Sequence, residues 1–116
     1  SKAPWKPWRW GGFEARDIGV FSATNGLVRA HVIRPANRFY TDIITRGSGL
    51  LFTFVLSGSA ELKHREIDQI VVTGGDSFVV PSGSKYCLSK CSEDMELLEV
   101  VVPTSFNTNQ SPSINR

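Results

Sequence analysis

Gly75-Asp76-Ser77-Phe78-Val79-Val80-Pro81-Ser82-Gly83-Ser84-Lys85-Tyr86 is the stretch on which the fold turns. A glycine turn leads into an apolar, β-branched strand, a Pro-x-Gly turn stops it, and a second strand begins. Pro81 restricts φ and lacks a ladder donor, so the strand ends before it, and Gly83 can supply the positive φ of a tight type II-like turn.

Outward from this unit the same grammar repeats. Towards the C-terminus, residues 86–89 read as a short strand and Cys91-Ser92-Glu93-Asp94 as a turn. Residues 95–102 form the last strand, favoured over helix by Val100-Val101-Val102 and Pro103. Towards the N-terminus, residues 60–63 and 69–73 form a hairpin whose bend holds His64-Arg65-Glu66, with His64 a solvated turn residue. The apolar run 50–56, between Gly47-Ser48-Gly49 and Ser57-Gly58, reads as a central strand buried on both faces. Residues 39–45 form another strand. Residues 27–34 alternate, with Leu27, Arg29, His31 and Ile33 on one face, and Pro35-Ala36-Asn37 turns the chain. Residues 13–20 read as the first strand of the domain, closed by the hairpin signal Thr24-Asn25-Gly26.

With 116 residues the chain makes one domain, able to remove about 65% of its unfolded surface from water without staples. Three segments follow: an extended aromatic and basic arm over 1–12, a β-domain over 13–103 and a polar tail over 104–116. In the arm, Trp5, Trp8 and Trp10 alternate with Lys2, Lys6 and Arg9, while Pro4 and Pro7 forbid a helix interior. Such an arm can stack on nucleic-acid bases or pack on its own domain or a second subunit. Packing is favoured, because three indoles left in water make a costly apolar patch. The net charge of +2 is far from the concentrated basic surface of a dedicated nucleic-acid binder. No run is long and apolar enough for a membrane span, and the start lacks a signal-peptide hydrophobic region. A cytoplasmic protein binding neither nucleic acid nor membrane is expected, although a chain beginning with serine leaves a removed leader open. Cys87 and Cys91 read as free thiols of a reducing compartment, the alternative being a disulfide across a hairpin.

Many short strands, closely spaced turns and no helical period indicate an all-β sandwich or barrel, and the double-sheet jelly roll fits the length. Here Gly75, Pro81 and Gly83 resemble the second sequence motif of the cupin superfamily. The first cupin motif, placed on Gly58, puts Leu51 at its glutamate. Arg46 and Ile44, or Gly47 and Thr45 with the shorter spacing, fall at its two histidines, and Tyr86 stands at the histidine of the second motif. The resemblance spans residues 41–103. It implies a cupin-like double-stranded β-helix (jelly-roll) barrel of the small, single-domain prokaryotic type. The family metal is held by three histidines and a glutamate. Leucine and isoleucine cannot ligate, arginine repels a cation and tyrosine is a poor ligand at neutral pH. Only His31 and His64 exist as histidines anywhere. No metal at the family site and no cofactor are therefore expected.

Carried over by position, the resemblance implies a pocket holding Arg46 and Tyr86, with Thr53 and His31 or Lys85 nearby. Arg46 could receive a small organic acid or phosphate by a two-pronged hydrogen bond. Against this stands a barrel in which Arg46 points outward, Ile44, Leu51 and Val55 fill the interior, and His31 is structural. The acidic residues Glu93, Asp94, Glu96 and Glu99 read as solvated charge. Three functions remain open. The first, preferred here, is a metal-free small-molecule-binding or regulatory module that is not an enzyme. The second is a metal-independent isomerase or epimerase-like enzyme using His31 and Tyr86. The third is a structural dimerisation module with a filled barrel. A homodimer is expected, and no kinase, nuclease or serine-hydrolase motif is present.

Overall fold

The computed structural model describes residues 3–47, 49–64 and 67–102, so the polar tail over 104–116, Ser48 of the Gly47 turn and Arg65-Glu66 of the hairpin bend lie outside the described residues. The elements are β1 (Lys6–Pro7), β2 (Phe13–Asp17), α1 (Val20–Ala23), β3 (Arg29–Pro35), β4 (Ile44–Thr45), β5 (Leu50–Ser57), β6 (Ser59–His64), β7 (Ile67–Thr73), β8 (Ser77–Val80), β9 (Lys85–Ser89) and β10 (Glu96–Val102). They form a six-stranded sheet, β1-β2-β3-β10-β5-β8, and a four-stranded sheet, β4-β9-β6-β7, antiparallel throughout. The all-β jelly roll is therefore present, as two facing sheets and not as a closed ring of strand pairing.

The opening motif behaves as its chemistry dictates. β8 stops at Val80, the Ser84 N–H donates to the Pro81 carbonyl at 3.2 Å, and Gly83 between them has φ 81°, as a type II turn requires. Gly75 takes φ 98° at the other end, where its N–H and the carbonyl of Asp76 both bond to Val55 of β5. Between the sheets, Ile33, Leu51, Val55 and Leu97 of the larger and Leu62, Val72, Tyr86 and Leu88 of the smaller form one core, which Met95 and Trp10 join. Each large aliphatic side chain buried there contributes about 1.5–3 kcal/mol.

Several expectations need correction. β5 is flanked by β10 and the edge strand β8, and only Leu51, Thr53 and Val55 are buried, while Leu50, Phe54 and Leu56 are 40–48% exposed. A sandwich covers one face of an antiparallel sheet, so an apolar run does not imply two covered faces. The first strand of the domain ends at Asp17 instead of residue 20, because the Asp17 carboxylate accepts the Gly19 N–H at 2.6 Å and Val20–Ala23 turn as α1. Of residues 39–45, only Ile44 and Thr45 form a strand. Upstream, Thr41 bonds Leu88 twice, giving its N–H to the Leu88 carbonyl and accepting the Leu88 N–H on its hydroxyl. That side-chain bond replaces one ladder rung. His64 is no turn residue; it closes β6, opposite Tyr86 and Ile67. The arm folds back on its own sheet, with β1 paired to β2 and Trp10 buried. Cys87 and Cys91 are both free thiols.

Gly58, the residue on which the first motif was placed, has φ 72°, and a Cβ there would lie 2.4 Å from the Ser92 hydroxyl and 2.6 Å from the Met95 Cα. Gly58→Ala is expected to lower the unfolding free energy by about 2–5 kcal/mol, combining the left-handed penalty with overpacking. Urea denaturation will read this as a lower midpoint at unchanged m-value.

Candidate functional site

Strand register builds one row of side chains across the larger sheet. Asp17 pairs with His31, His31 with Glu99, Glu99 with Thr53 and Thr53 with Phe78, on β2, β3, β10, β5 and β8 in turn. Directly opposed residues project from the same face. That face is the inner one, because Ile33, Leu97, Val55 and Leu51 alongside are buried. Glu99 is only 2% exposed and Thr53 4%. From the smaller sheet β9 sends Tyr86 inward, between Ile44 of β4 and His64 of β6.

The arm completes the arrangement. Its chain reverses between Trp8 and Phe13, where the Trp8 N–H donates to the Phe13 carbonyl and the Phe13 N–H to the Trp10 carbonyl. Arg9, at the tip, donates from Nη2 to Glu99 Oε1 at 2.9 Å and lies over the Trp8 ring, 4.1 Å from its centroid. Trp8 in turn lies 4.9 Å from the His31 ring and 6.3 Å from Trp10. Three buried polar atoms here have no hydrogen-bond partner among the described residues: Glu99 Oε2 and the indole N–H groups of Trp8 and Trp10. His31 Nε2 stands 4.0 Å from Asp17 Oδ2, beyond hydrogen-bond range.

Electrostatics link the two sheets. Burial holds the Tyr86 phenol far above its ordinary value and the charge of Glu99 pushes the same way, while Arg9 and Arg46 oppose both. Tyr86 is therefore a neutral hydrogen-bonding group at physiological pH. Arg46 is placed by the motif turn: its N–H donates to the Ser84 carbonyl, its carbonyl accepts from Gly83, and Nη2 donates to the Gly49 carbonyl at 3.2 Å. Within the sandwich Glu99 supplies a carboxylate acceptor and Tyr86 a phenol donor, with the His31 imidazole and the Thr53 hydroxyl beside Glu99 in the row.

Of the residues expected from sequence, His31 and Thr53 flank Glu99, Tyr86 faces it electrostatically, and the charge of Arg46 is felt at Tyr86. Lys85 is exposed. Leu51 and Val55 are buried in the core and Ile44 packs against that core, so aliphatic fill and polar residues share the interior. Sequence reasoning missed Glu99, Trp8 and Arg9 as site residues. Reading Glu99 as solvated charge is overturned by its burial. A usable signal existed: Leu97, Glu99 and Val101 alternate, and a buried Leu97 carries Glu99 to the same face. Among the described residues no group of three His, Cys, Asp or Glu side chains is arranged to hold a metal ion. Ile44, Arg46, Leu51 and Tyr86, which the motif resemblance puts at the cupin ligand positions with the longer spacing, lack the imidazoles and carboxylate of that site, as do Thr45 and Gly47 with the shorter one.

No protein-family model and no curated protein matches the sequence. By structure, the chain is similar to KdgF from a Halomonas species, with a TM-score of 0.71 and 12% identity over 90% of this chain and 91% of that one. It is similar also to an RmlC-like cupin from Shewanella frigidimarina NCIMB 400, with a TM-score of 0.70 and 18% identity over 90% and 87%. Against the cupin domain of Cnp3 from Schizosaccharomyces pombe the TM-score is 0.73, with 11% identity over 93% and 74%. The chain has the cupin fold.

A phenol held above its ordinary value keeps its proton in the native state at a pH where the unfolded chain has lost it. The stability tied to Tyr86 is thus full below its ordinary value of 10.0 and falls as pH rises beyond it. Burial likewise pushes the Cys91 thiol up to about 11 from 9.0, with the same sign from a lower starting pH. Melting temperature is expected to drop between about pH 9 and 11, each group contributing up to about 1.4 kcal/mol per pH unit. In Tyr86→Phe the fall above pH 10 becomes shallower, which thermal melts across that range will measure.

Proposed function

We propose that this cupin-fold chain is a small-molecule-binding module that works without a metal ion and without turnover. Its ligand is held between Glu99 and Tyr86, with His31, Thr53 and Arg46 as further contacts. Glu99 carries the reading. A carboxylate placed inside an apolar sandwich costs several kcal/mol unless paired. Arg9 pairs one oxygen and leaves the other buried without a donor among the described residues, and an uncompensated polar atom in such a place fits a recognition group better than a packing one. Arg46 is the group that would receive a carboxylate or phosphate, and Glu99 the group that would receive a hydroxyl or an amine. Because the charge of Glu99 opposes an anion in the same space, the proposal rests on Glu99.

Thermal-shift and calorimetric titration of the whole chain against neutral sugars and polyols, amines, organic acids and phosphates tests this. At 100 times its Kd a ligand stabilises the fold by about 2.7 kcal/mol, a shift of several degrees. At least one class is expected to respond and to lose its effect in Glu99→Gln; a flat response across all four classes overturns the proposal.

A second reading, pairing of two copies, is favoured by the outer face of the larger sheet. Leu50, Phe54 and Leu56 of β5 and Val79 of β8 project there together, each at least 40% exposed and none charged. Static light scattering at micromolar concentration should give twice the chain mass, and Phe54→Lys should halve it; a monomeric wild-type protein removes this reading.

A further inference from the structure

Resting on the binding site proposed above, we infer that its ligand is a neutral molecule with adjacent hydroxyl groups, a sugar or polyol, held jointly by Glu99 Oε2 and the indole N–H groups of the arm. Charge comes first. Glu99 already has a cation, since Arg9 bonds its Oε1 at 2.9 Å and is itself spread over the Trp8 ring. An incoming amine would have to displace a guanidinium tethered to the same chain, whose effective concentration is in the millimolar range or above. An incoming acid would face the carboxylate. What the site leaves unmet is therefore hydrogen bonding and not charge.

The unmet groups are of both kinds. Glu99 Oε2 can only accept, and Trp8 Nε1 and Trp10 Nε1 can only donate; all three are buried without partners among the described residues. Trp8 connects them, touching His31, the register partner of Glu99, on one side and Trp10 on the other. A hydroxyl both donates and accepts, so a molecule with neighbouring hydroxyls serves a carboxylate and an indole at once. A carboxylate can serve only the indoles and an ammonium only Glu99, while a phosphate, although it keeps a hydroxyl at neutral pH, brings its negative charge against the carboxylate. Tyr86 and Thr53, each able to donate and accept, extend the same preference. Once Arg9 lifts, the Trp8 ring that it covers adds flat apolar surface of the type that the C–H faces of a sugar ring cover. Oε2 is closed off from solvent and Arg9 bonds the neighbouring Oε1, so in this proposal a ligand enters as the tip of the arm lifts, and binding will be felt by its tryptophans.

The test follows tryptophan emission and melting temperature of the whole chain during titration with glucose, mannose and mannitol, with agmatine, and with citrate and inorganic phosphate. Concentrations stay in the low millimolar range, below the general stabilisation that sugars exert as excluded solutes. At least one of the neutral compounds is expected to give a saturable response. Trp8→Phe, which keeps the ring and loses the N–H, should weaken it about 3- to 10-fold, and Glu99→Gln about 10-fold or more. Because Glu99→Gln alters the Arg9 bond, Trp8→Phe provides the independent reading. A Glu99-dependent response to agmatine, citrate or phosphate with none to the neutral compounds overturns the ligand class and leaves the site standing. Neutral binding that Trp8→Phe leaves unchanged overturns the shared grip. Silence from all six probes and from the wider panel removes the site itself.

Discussion

A carboxylate on the inner face of a β-sandwich has to be compensated, and in this chain the compensation comes from 90 residues away, through the hydrogen bond from Arg9 to Glu99. Much of the arm's conformation can be understood from that requirement. To bring a guanidinium over the inner face, the chain turns back between Trp8 and Phe13, and the reversal carries Trp10 into the core beside Phe13. Trp8 then supports the guanidinium on one side and meets His31 on the other. Trp5 serves the outside, lying under Arg34 and Arg16. The aromatic and basic composition of the arm, which favours packing on its own domain or a second subunit over nucleic-acid stacking, thus holds the arm to its own domain.

Local chemistry made the frame legible. Pro81 and Gly83 encode their turn within four residues, and the positive φ of Gly58, Gly75 and Gly83 follows from steric rules that apply in any fold. Errors arose where a side chain overrode backbone pairing, as with Asp17 at Gly19 and Thr41 at Leu88. They arose also where hydrophobicity was equated with burial, since exposed and buried positions of β5 are equally apolar. Glu99 was misjudged for a third reason: grouped with its acidic neighbours it looked solvated, whereas its place in the alternation of β10 ruled otherwise. The match of Arg9 to Glu99 was not legible at all, because tertiary docking decides it.

Relative to the cupin motifs, the polar groups of this interior have moved while the frame has stayed. Leu51, which the motif resemblance puts at the cupin glutamate, lies on β5 and pairs with Val101, whereas the carboxylate present belongs to Glu99, two residues along β10 on the same face. Aliphatic side chains occupy the space near Leu51, Ile44 and Val55, and polarity gathers around the row from Asp17 to Thr53. The polar row thus lies one strand away from the motif's glutamate position, while the turns at Gly58, Gly75 and Gly83 keep their positive φ.

The place of β10 in the larger sheet sets the order of events at birth. It is the last strand of the described chain, yet it lies in the middle, between β3 and β5. Until residue 102 has left the ribosome, β3 and β5 have no neighbour to join them, and Glu99 has not arrived to receive Arg9. Long-range pairing of this kind makes folding slow and cooperative. The nascent chain must wait with the apolar edges of β3 and β5 open, dependent on whatever shields them in the cell. The same last strand that brings the carboxylate to the interior thus makes folding a single, late, all-or-none act.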